Sequence, residues 1–235
     1  MKRFVDLHLR PPFQDVGATE NMARMAAEMG FSLVGLTFDT SISREARMTT
    51  TNFFKDQGLE TVTRIDLHPK NRNELLTSLR KARSSFDIVS VECDAKQVTS
   101  LAFRDRRVDL VFFSPSRRKL RVSELTPGRA KRTVEFNIAD ILNNDFVDSN
   151  LRRLLSAIWN TKRKHLPFVI SSGATDCLLM RAPKDMAAVV SIMGLDATQA
   201  LDAVSSIPFS LAQKSLEKRG QRFVSNGVET VRPRV

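Results

Sequence analysis

Metal-assisted hydrolysis is the first chemistry the side chains suggest, because Asp6-Leu7-His8 sets a carboxylate and an imidazole two residues apart near the amino terminus. Asp39 and Glu92 add two carboxylates, enough to ligate one weakly held Mg2+ in a mostly aqueous shell and so to act on phosphate esters. A centre of several metals needs more neutral imidazoles than His8, His68 and His165, which are all the histidines present. Arg10 stands where a second ligating histidine would be wanted, and a fixed cation there repels a metal. The competing expectation is an ion-paired interior in which carboxylates and arginines satisfy one another. Nucleophilic catalysis has weaker grounds. Ser171 and Ser172 lack a Gly-x-Ser-x-Gly elbow, Cys93 has no evident histidine partner, and no Gly-x-Gly-x-x-Gly or P-loop run supports a nucleotide cofactor.

The basic residues point elsewhere. Lysine and arginine number 37 against 26 acids, a formal net charge of +11, which favours a polyanionic partner. Arg106 and Arg107 stand just before one apolar run. Arg117, Arg118, Lys119, Arg121, Arg129, Lys131 and Arg132 follow it, with Glu124 the only acid among them and Pro115, Pro127 and Gly128 marking a loop. Such a loop is suited to phosphate contacts. Lys162-Arg163-Lys164 closes a long helical pattern, where cations either complement the helix dipole or reach RNA. Tyrosine is absent and Trp159 is the only tryptophan, so recognition of structured RNA by phosphates and shape is expected rather than base stacking.

These residues are carried by an alternation of short apolar runs and helical stripes. Phe4 to Leu9 alternates at strand period, with Val5, Leu7 and Leu9 on one side and Phe4, Asp6 and His8 on the other. Further strands are expected at 32–38, 61–67, 86–92, 109–113, 133–138 and 168–171. Helices are expected between them, one opened by the Asn-x-x-Glu cap of Asn71 and Glu74. Seven strands alternating with helices predict a parallel sheet. If Asp6, His8, Arg64, Asp66, Glu92, Glu135 and Asn137 share a strand face, that face is too polar to pack helices and suits the interior of a barrel with a wet mouth. No eighth strand is evident; after Pro183 the pattern is helical over 186–193, 197–204 and 209–219. The expected architecture is an α/β, TIM-barrel-like single domain over 1–235, an irregular or incomplete parallel barrel of about seven strands whose part from 183 to 235 is mostly helical. Pro167 to Ala174 reads as a strand emptying into a tight turn at the barrel rim, its serines shaping the strand end and setting the position of Arg181.

Cys93 and Cys177 form no C-x-x-C pair, and no apolar run approaches the roughly eighteen residues of a membrane span. A soluble protein of a reducing cytoplasm, without membrane association, is expected.

Phe4-Val5-Asp6-Leu7-His8, Gly35-Leu36-Thr37, Asp105-Arg106-Arg107-Val108-Asp109-Leu110, Ser171-Ser172-Gly173-Ala174 and Arg181-Ala182-Pro183-Lys184-Asp185 with Gly194-Leu195 occur in an order and spacing that span nearly the whole chain. On these residues the sequence resembles the ribonuclease P protein family that includes protein component 3 of the archaeal enzyme and the thirty-kilodalton subunit of the eukaryotic one. The resemblance implies a barrel related to metal-dependent phosphoesterases but lacking their metal set, with no catalytic residue and no bound cofactor. It also implies a place in the ribonucleoprotein that cuts the 5′ leader from precursor tRNA, where the RNA subunit carries catalytic Mg2+. The implied partners are the ribonuclease P RNA, precursor tRNA, a small ferredoxin-like protein subunit and the other ribonuclease P proteins. On charge, the RNA-binding residues are expected to be Arg106, Arg107, Arg117, Arg118, Lys119, Arg121, Lys131, Arg132, Lys162 and Arg181. A stand-alone metal phosphoesterase using Asp6, His8, Asp39 and Glu92 is the alternative.

Overall fold

The structure, a computed structural model, describes residues 2–113, 132–142, 147–192, 194–219, 223–225 and 228–229. Strands β1 (Phe4–Leu9), β2 (Phe31–Thr37), β3 (Glu60–Leu67), β4 (Ile88–Glu92), β5 (Leu110–Phe112), β6 (Thr133–Asn137) and β7 (Phe168–Ser171) form one sheet in sequence order, every pair parallel. Between them lie α1 (Val16–Glu28), α2 (Arg44–Asp56), α3 (Arg72–Ser85), α4 (Lys96–Ala102), α5 (Ala139–Leu142) and α6 (Val147–Arg163). Their starts follow local chemistry: Asp15, Ser43 and Asn71 each accept a backbone N–H of the first turn of α1, α2 and α3. At α3 the cap is reciprocal, as the sequence predicts, although the Glu74 carboxylate reaches back to the Lys70 N–H, one residue before the cap.

The sheet curls into a nearly closed, TIM-barrel-like α/β barrel, and its seam has two halves. At the carboxyl ends of the strands, Leu9 bridges Ala174 and the Arg10 N–H donates to the Ala174 carbonyl at 2.9 Å. At the amino ends the strands part, and the chain leaving α8 (Ala197–Asp202) enters the gap. There the Val204 carbonyl accepts from Val5 N at 2.9 Å and the Ala203 carbonyl from Ile170 N at 3.0 Å. Two residues of irregular backbone thus satisfy edge groups that an eighth strand would otherwise pair.

A large core fills the space between the barrel and its outer helices, including Val34, Leu36, Ile65, Val89, Val111, Phe136 and Ile170. A smaller one, built from Val5, Leu7, Leu33, Val62, Ile88, Leu110 and Val169, fills the amino end of the barrel interior. Helix α9 (Ser206–Arg219) stops it with Ala212, Ile207, Phe209 and Leu211. Among the described residues after Pro183 the chain forms α7 (Pro183–Ile192), α8 and α9, together with an antiparallel pair of strands, β8 (Phe223–Ser225) and β9 (Val228–Glu229). Helices α7 and α9 pack against β1 and β7.

The strict alternation expected along β1 does not hold. Val5 and Leu7 face inward, yet Leu9 belongs to the outer core. The register shifts between Asp6, opposite Val34, and Leu9, opposite Leu36, so that one extra residue of β1 is accommodated against β2. Gly35 makes this bulge possible: a Cβ on it would lie 2.4 Å from the Leu7 carbonyl oxygen. The result is that Leu7 and His8 both enter the barrel, while Asp6 lies in the seam.

Candidate functional site

Above the apolar plug the barrel interior is ionic. Arg64 on β3 is fully buried and donates through Nη1 and Nη2 to both oxygens of Glu135 on β6, at 2.6 and 2.5 Å. Its Nε reaches Asp66 at 2.7 Å, and Nη1 also holds the Leu7 carbonyl at 3.0 Å, inside the bulge. β3 and β6 are not neighbours, so this fork crosses the barrel. His8 completes the cluster, with Nδ1 2.9 Å from Asn137 Oδ1 and 3.4 Å from Glu135, and Nε2 3.0 Å from Asp66. Ser171 donates to Glu135 at 2.7 Å, and Arg10 from the rim donates to Asp66 at 2.9 Å.

Charge balance decides the protonation states. Burial and Arg64 disfavour an imidazolium at His8, but Asp66 and Glu135 outweigh them and raise its pKa to about 8. Burial alone would raise Glu135; Arg64 and His8 instead hold it down at about 2, and against the same burial Arg64 holds Asp66 well below the usual carboxylate range. At neutral pH the cluster is therefore two cations, Arg64 and protonated His8, on two carboxylates. Arg10 Nε, 2.9 Å from His8 Nε2, can donate to the imidazole only when that nitrogen is unprotonated. In the protonated state Nε2 donates to Asp66, and the Arg10 guanidinium is held by Asp66.

The Arg64 guanidinium stands between the carboxylates of Glu135 and Asp66 and neutralises both. Of the four residues considered for phosphoesterase chemistry, only His8 belongs to the cluster. Asp6, expected on the same face, accepts from Ser172 N across the seam at 3.2 Å and from His8 N of its own strand at 3.0 Å, and burial pushes its carboxyl up. Asp39 is exposed on the loop after β2. Glu92 pairs with His68 Nδ1 at 2.7 Å, at a mouth where the rings of His8 and His68 both stand edge-on to Phe112. Among the described residues no group of three or more His, Cys, Asp or Glu side chains is disposed to hold a metal. Cys93 is buried, which pushes its thiol up and away from nucleophilic use. Ser172 accepts from Ala174 N, and Gly173 turns at φ 67° against Asn137, so this loop is the structural turn the sequence predicts.

A family model described as RNase P subunit p30 matches residues 3–219. The chain belongs to that family. This p30-family chain is thus a protein subunit of ribonuclease P, an endoribonuclease complex. It is 26% identical over 183 residues to a protein of Methanosarcina acetivorans named Ribonuclease P protein component 3, covering 74% of each chain. A Methanococcoides burtonii protein of the same name is 22% identical over 242 residues, covering 99% of this chain and 95% of its own. A chain in the cryo-EM structure of archaeal Ribonuclease P with mature tRNA shares its fold at a TM-score of 0.82 and 16% identity, over 97% of this chain and 98% of that one.

In the p30-family chain those of the cations expected to bind RNA that lie among the described residues do not form one patch. Arg106 is exposed and Arg107 is locked to Asp105 through two bonds, at 2.9 and 2.7 Å. Both lie before β5, at the amino ends of the strands. Arg132, before β6, is half-buried close to Asp105, Asp109 and Arg106. Lys162, near the end of α6, stands over the exposed Trp159 ring at 5.7 Å. Arg181 is at the opposite end, after β7, where its Nη1 donates to the Leu178 and Met180 carbonyls and tightens its own turn. Arg117, Arg118, Lys119, Arg121 and Lys131 lie outside the described residues. No helix among the described residues is long and apolar enough to cross a membrane.

The sequence offered no signal for the part played by Asp109. It accepts from Arg83 at 2.5 Å, from Lys218 of α9 at 2.8 Å and from Val89 N at 3.0 Å, tying α3, β4 and the plug helix together.

Proposed function

We propose that this chain binds the ribonuclease P RNA through cations at the amino ends of its strands and supports removal of the 5′ leader from precursor tRNA, with the RNA subunit carrying Mg2+ and the chemistry. The observation that carries this reading is Arg64, whose buried guanidinium neutralises Glu135 and Asp66 where a hydrolase of this architecture would gather its metal ligands. The barrel then acts as a rigid, strongly basic body, and phosphate neutralisation is the chemistry such a body offers RNA. Arg106, Lys162 and the cations of 117–132 are the contacts this reading assigns, with Arg107 and Arg132 positioned by Asp105 and Asp109, and Arg181 assisting from the other rim. The cytoplasmic partners would be the RNA subunit, precursor tRNA, a small ferredoxin-like subunit and the other ribonuclease P proteins; the archaeal complex with mature tRNA that contains a chain of this fold supports that company.

The test is cleavage of precursor tRNA reconstituted from the RNA and protein subunits, with and without this chain. Omission is expected to lower the rate or raise the Mg2+ requirement, and an unchanged profile overturns the reading. Purified chain with Mn2+ and no RNA is expected to leave phosphate esters intact; hydrolysis abolished by His8→Ala would restore the phosphoesterase alternative.

A further inference from the structure

We infer that the groove between α2 and α3 is a second site for the sugar-phosphate backbone of RNA, on residues separate from the cations at the amino ends of β5 and β6. Helix α2 packs against α1 and α3 against α4, and α2 and α3 leave between them a cavity of about 410 Å3. Arg44, Arg47, Met48, Thr51, Asn52 and Lys55 line it, spaced by three and four residues so that they form one stripe along a single face of α2. That stripe runs from Arg44 to Lys55, twelve residues and about 16 Å at helical rise, which suits an extended polymer better than a single small anion. Ser84 and Ser85 at the end of α3 form the opposite wall, and Thr61 and Thr63 of β3 the floor.

The chemistry of the lining is that of a phosphodiester site. Three cations face one acid, Asp87, whose Oδ2 already accepts from Thr63 N and Oγ1 at 2.8 and 2.7 Å. Arg47 is held in position by its bond to the Ser85 carbonyl at 3.2 Å and by the Phe86 ring 4.6 Å beneath its guanidinium. Met48 is the one large apolar side chain of the lining, so the groove has no apolar pocket to anchor a peptide. A polymer of regularly spaced single negative charges fits this surface, and the net charge of the chain would draw it in.

This inference rests on the RNA-binding reading, and titration of the full chain with its ribonuclease P RNA transcript over a range of salt separates the two. Replacing Arg44 and Lys55 together by alanine should weaken binding roughly tenfold at about 0.1 M salt and flatten the slope of log affinity against log salt by roughly 1.4 to 1.8. Both side chains are exposed, so the melting temperature should not move. If Arg44→Ala/Lys55→Ala binds like the parent while Arg106→Ala/Lys162→Ala does not, the groove falls and the broader reading stands. If the parent chain has no salt-dependent affinity for the RNA, both fall. A poly-glutamate peptide that competes as well as RNA of equal charge would overturn the RNA assignment in favour of an acidic protein.

Discussion

Arg64 and Glu135 are each fully buried, and each makes the other tolerable: desolvating either charge alone is far more costly than desolvating the pair. Arg64→Ala should therefore destabilise the fold by roughly 3–5 kcal/mol, read as a fall in denaturant midpoint. The double change Arg64→Met with Glu135→Leu should recover much of that loss, because no lone charge is left behind. Equal losses in the single and double variants would refute the coupling. His8 gives the cluster a pH signature. Its folded pKa, about 8, lies above the unfolded value of about 6.5, so its contribution is fully present below pH 6.5 and is lost as pH rises through 8. Up to roughly 2 kcal/mol is involved at 1.36 kcal/mol per unit. Melting measured between pH 6 and 9 should show this fall in the parent chain and a flatter profile in His8→Gln; equal slopes would place the titration elsewhere.

Strand β1 shows why an element can be correctly placed and yet misread in detail. The Phe4–Leu9 alternation is a true strand signal, but a period of two carries no mark of an extra residue. The bulge depends on a neighbour 28 positions away, where Gly35 lets the Leu7 carbonyl approach. Gly35→Ala should push β1 and β2 apart and cost about 1–3 kcal/mol or more. Gly17→Ala, at the start of α1 where a Cβ meets nothing closer than 3.7 Å, should be neutral or mildly stabilising. Thermal melts of the pair check this, and similar losses for both would argue against the bulge. Helix α9 is the other element whose place depends on distant partners. Asp109→Ala should release Lys218 and deprive Arg83 of its carboxylate, costing roughly 2–3 kcal/mol, and should speed protease cleavage within α9. Lys218→Met should speed cleavage with less loss of stability, since Arg83 keeps its partner. Protection of α9 in both variants would show that its apolar face alone holds the plug.

At the scale of the molecule, the polar interior and the basic exterior have separate tasks. The ionic cluster is closed off, with Arg64 and Glu135 out of solvent, so its charges contribute rigidity rather than reach. Exposed cations such as Arg106, Arg44 and Lys55 are those able to meet phosphates. Each phosphate neutralised should add roughly 0.7 to 0.9 to the steepness of log affinity against log salt. Titrating the ribonuclease P RNA should thus give a slope well above that of one or two contacts, and Arg106→Ala/Lys162→Ala should reduce it by roughly 1.4 to 1.8. Salt-independent binding would remove the electrostatic basis of the proposal.

What the sequence determined by itself was local or summed over the chain: seven strands in order with their helices, the Asn71 cap, the turn at Gly173, the net charge, and the family on its quoted motifs. Periodicity, capping and composition involve residues near one another, or all residues at once, and they can be read without knowing what lies across the barrel. Only the tertiary structure decided that His8 turns inward while Asp6 stays in the seam, that Arg64 meets Glu135 from 71 positions away, and that Ala203 and Val204 fill the place of an eighth strand. It also split the expected phosphate contacts between two ends of the barrel and opened the groove along α2. Each of these depends on where barrel closure brings distant residues, a global geometric constraint that no local pattern encodes.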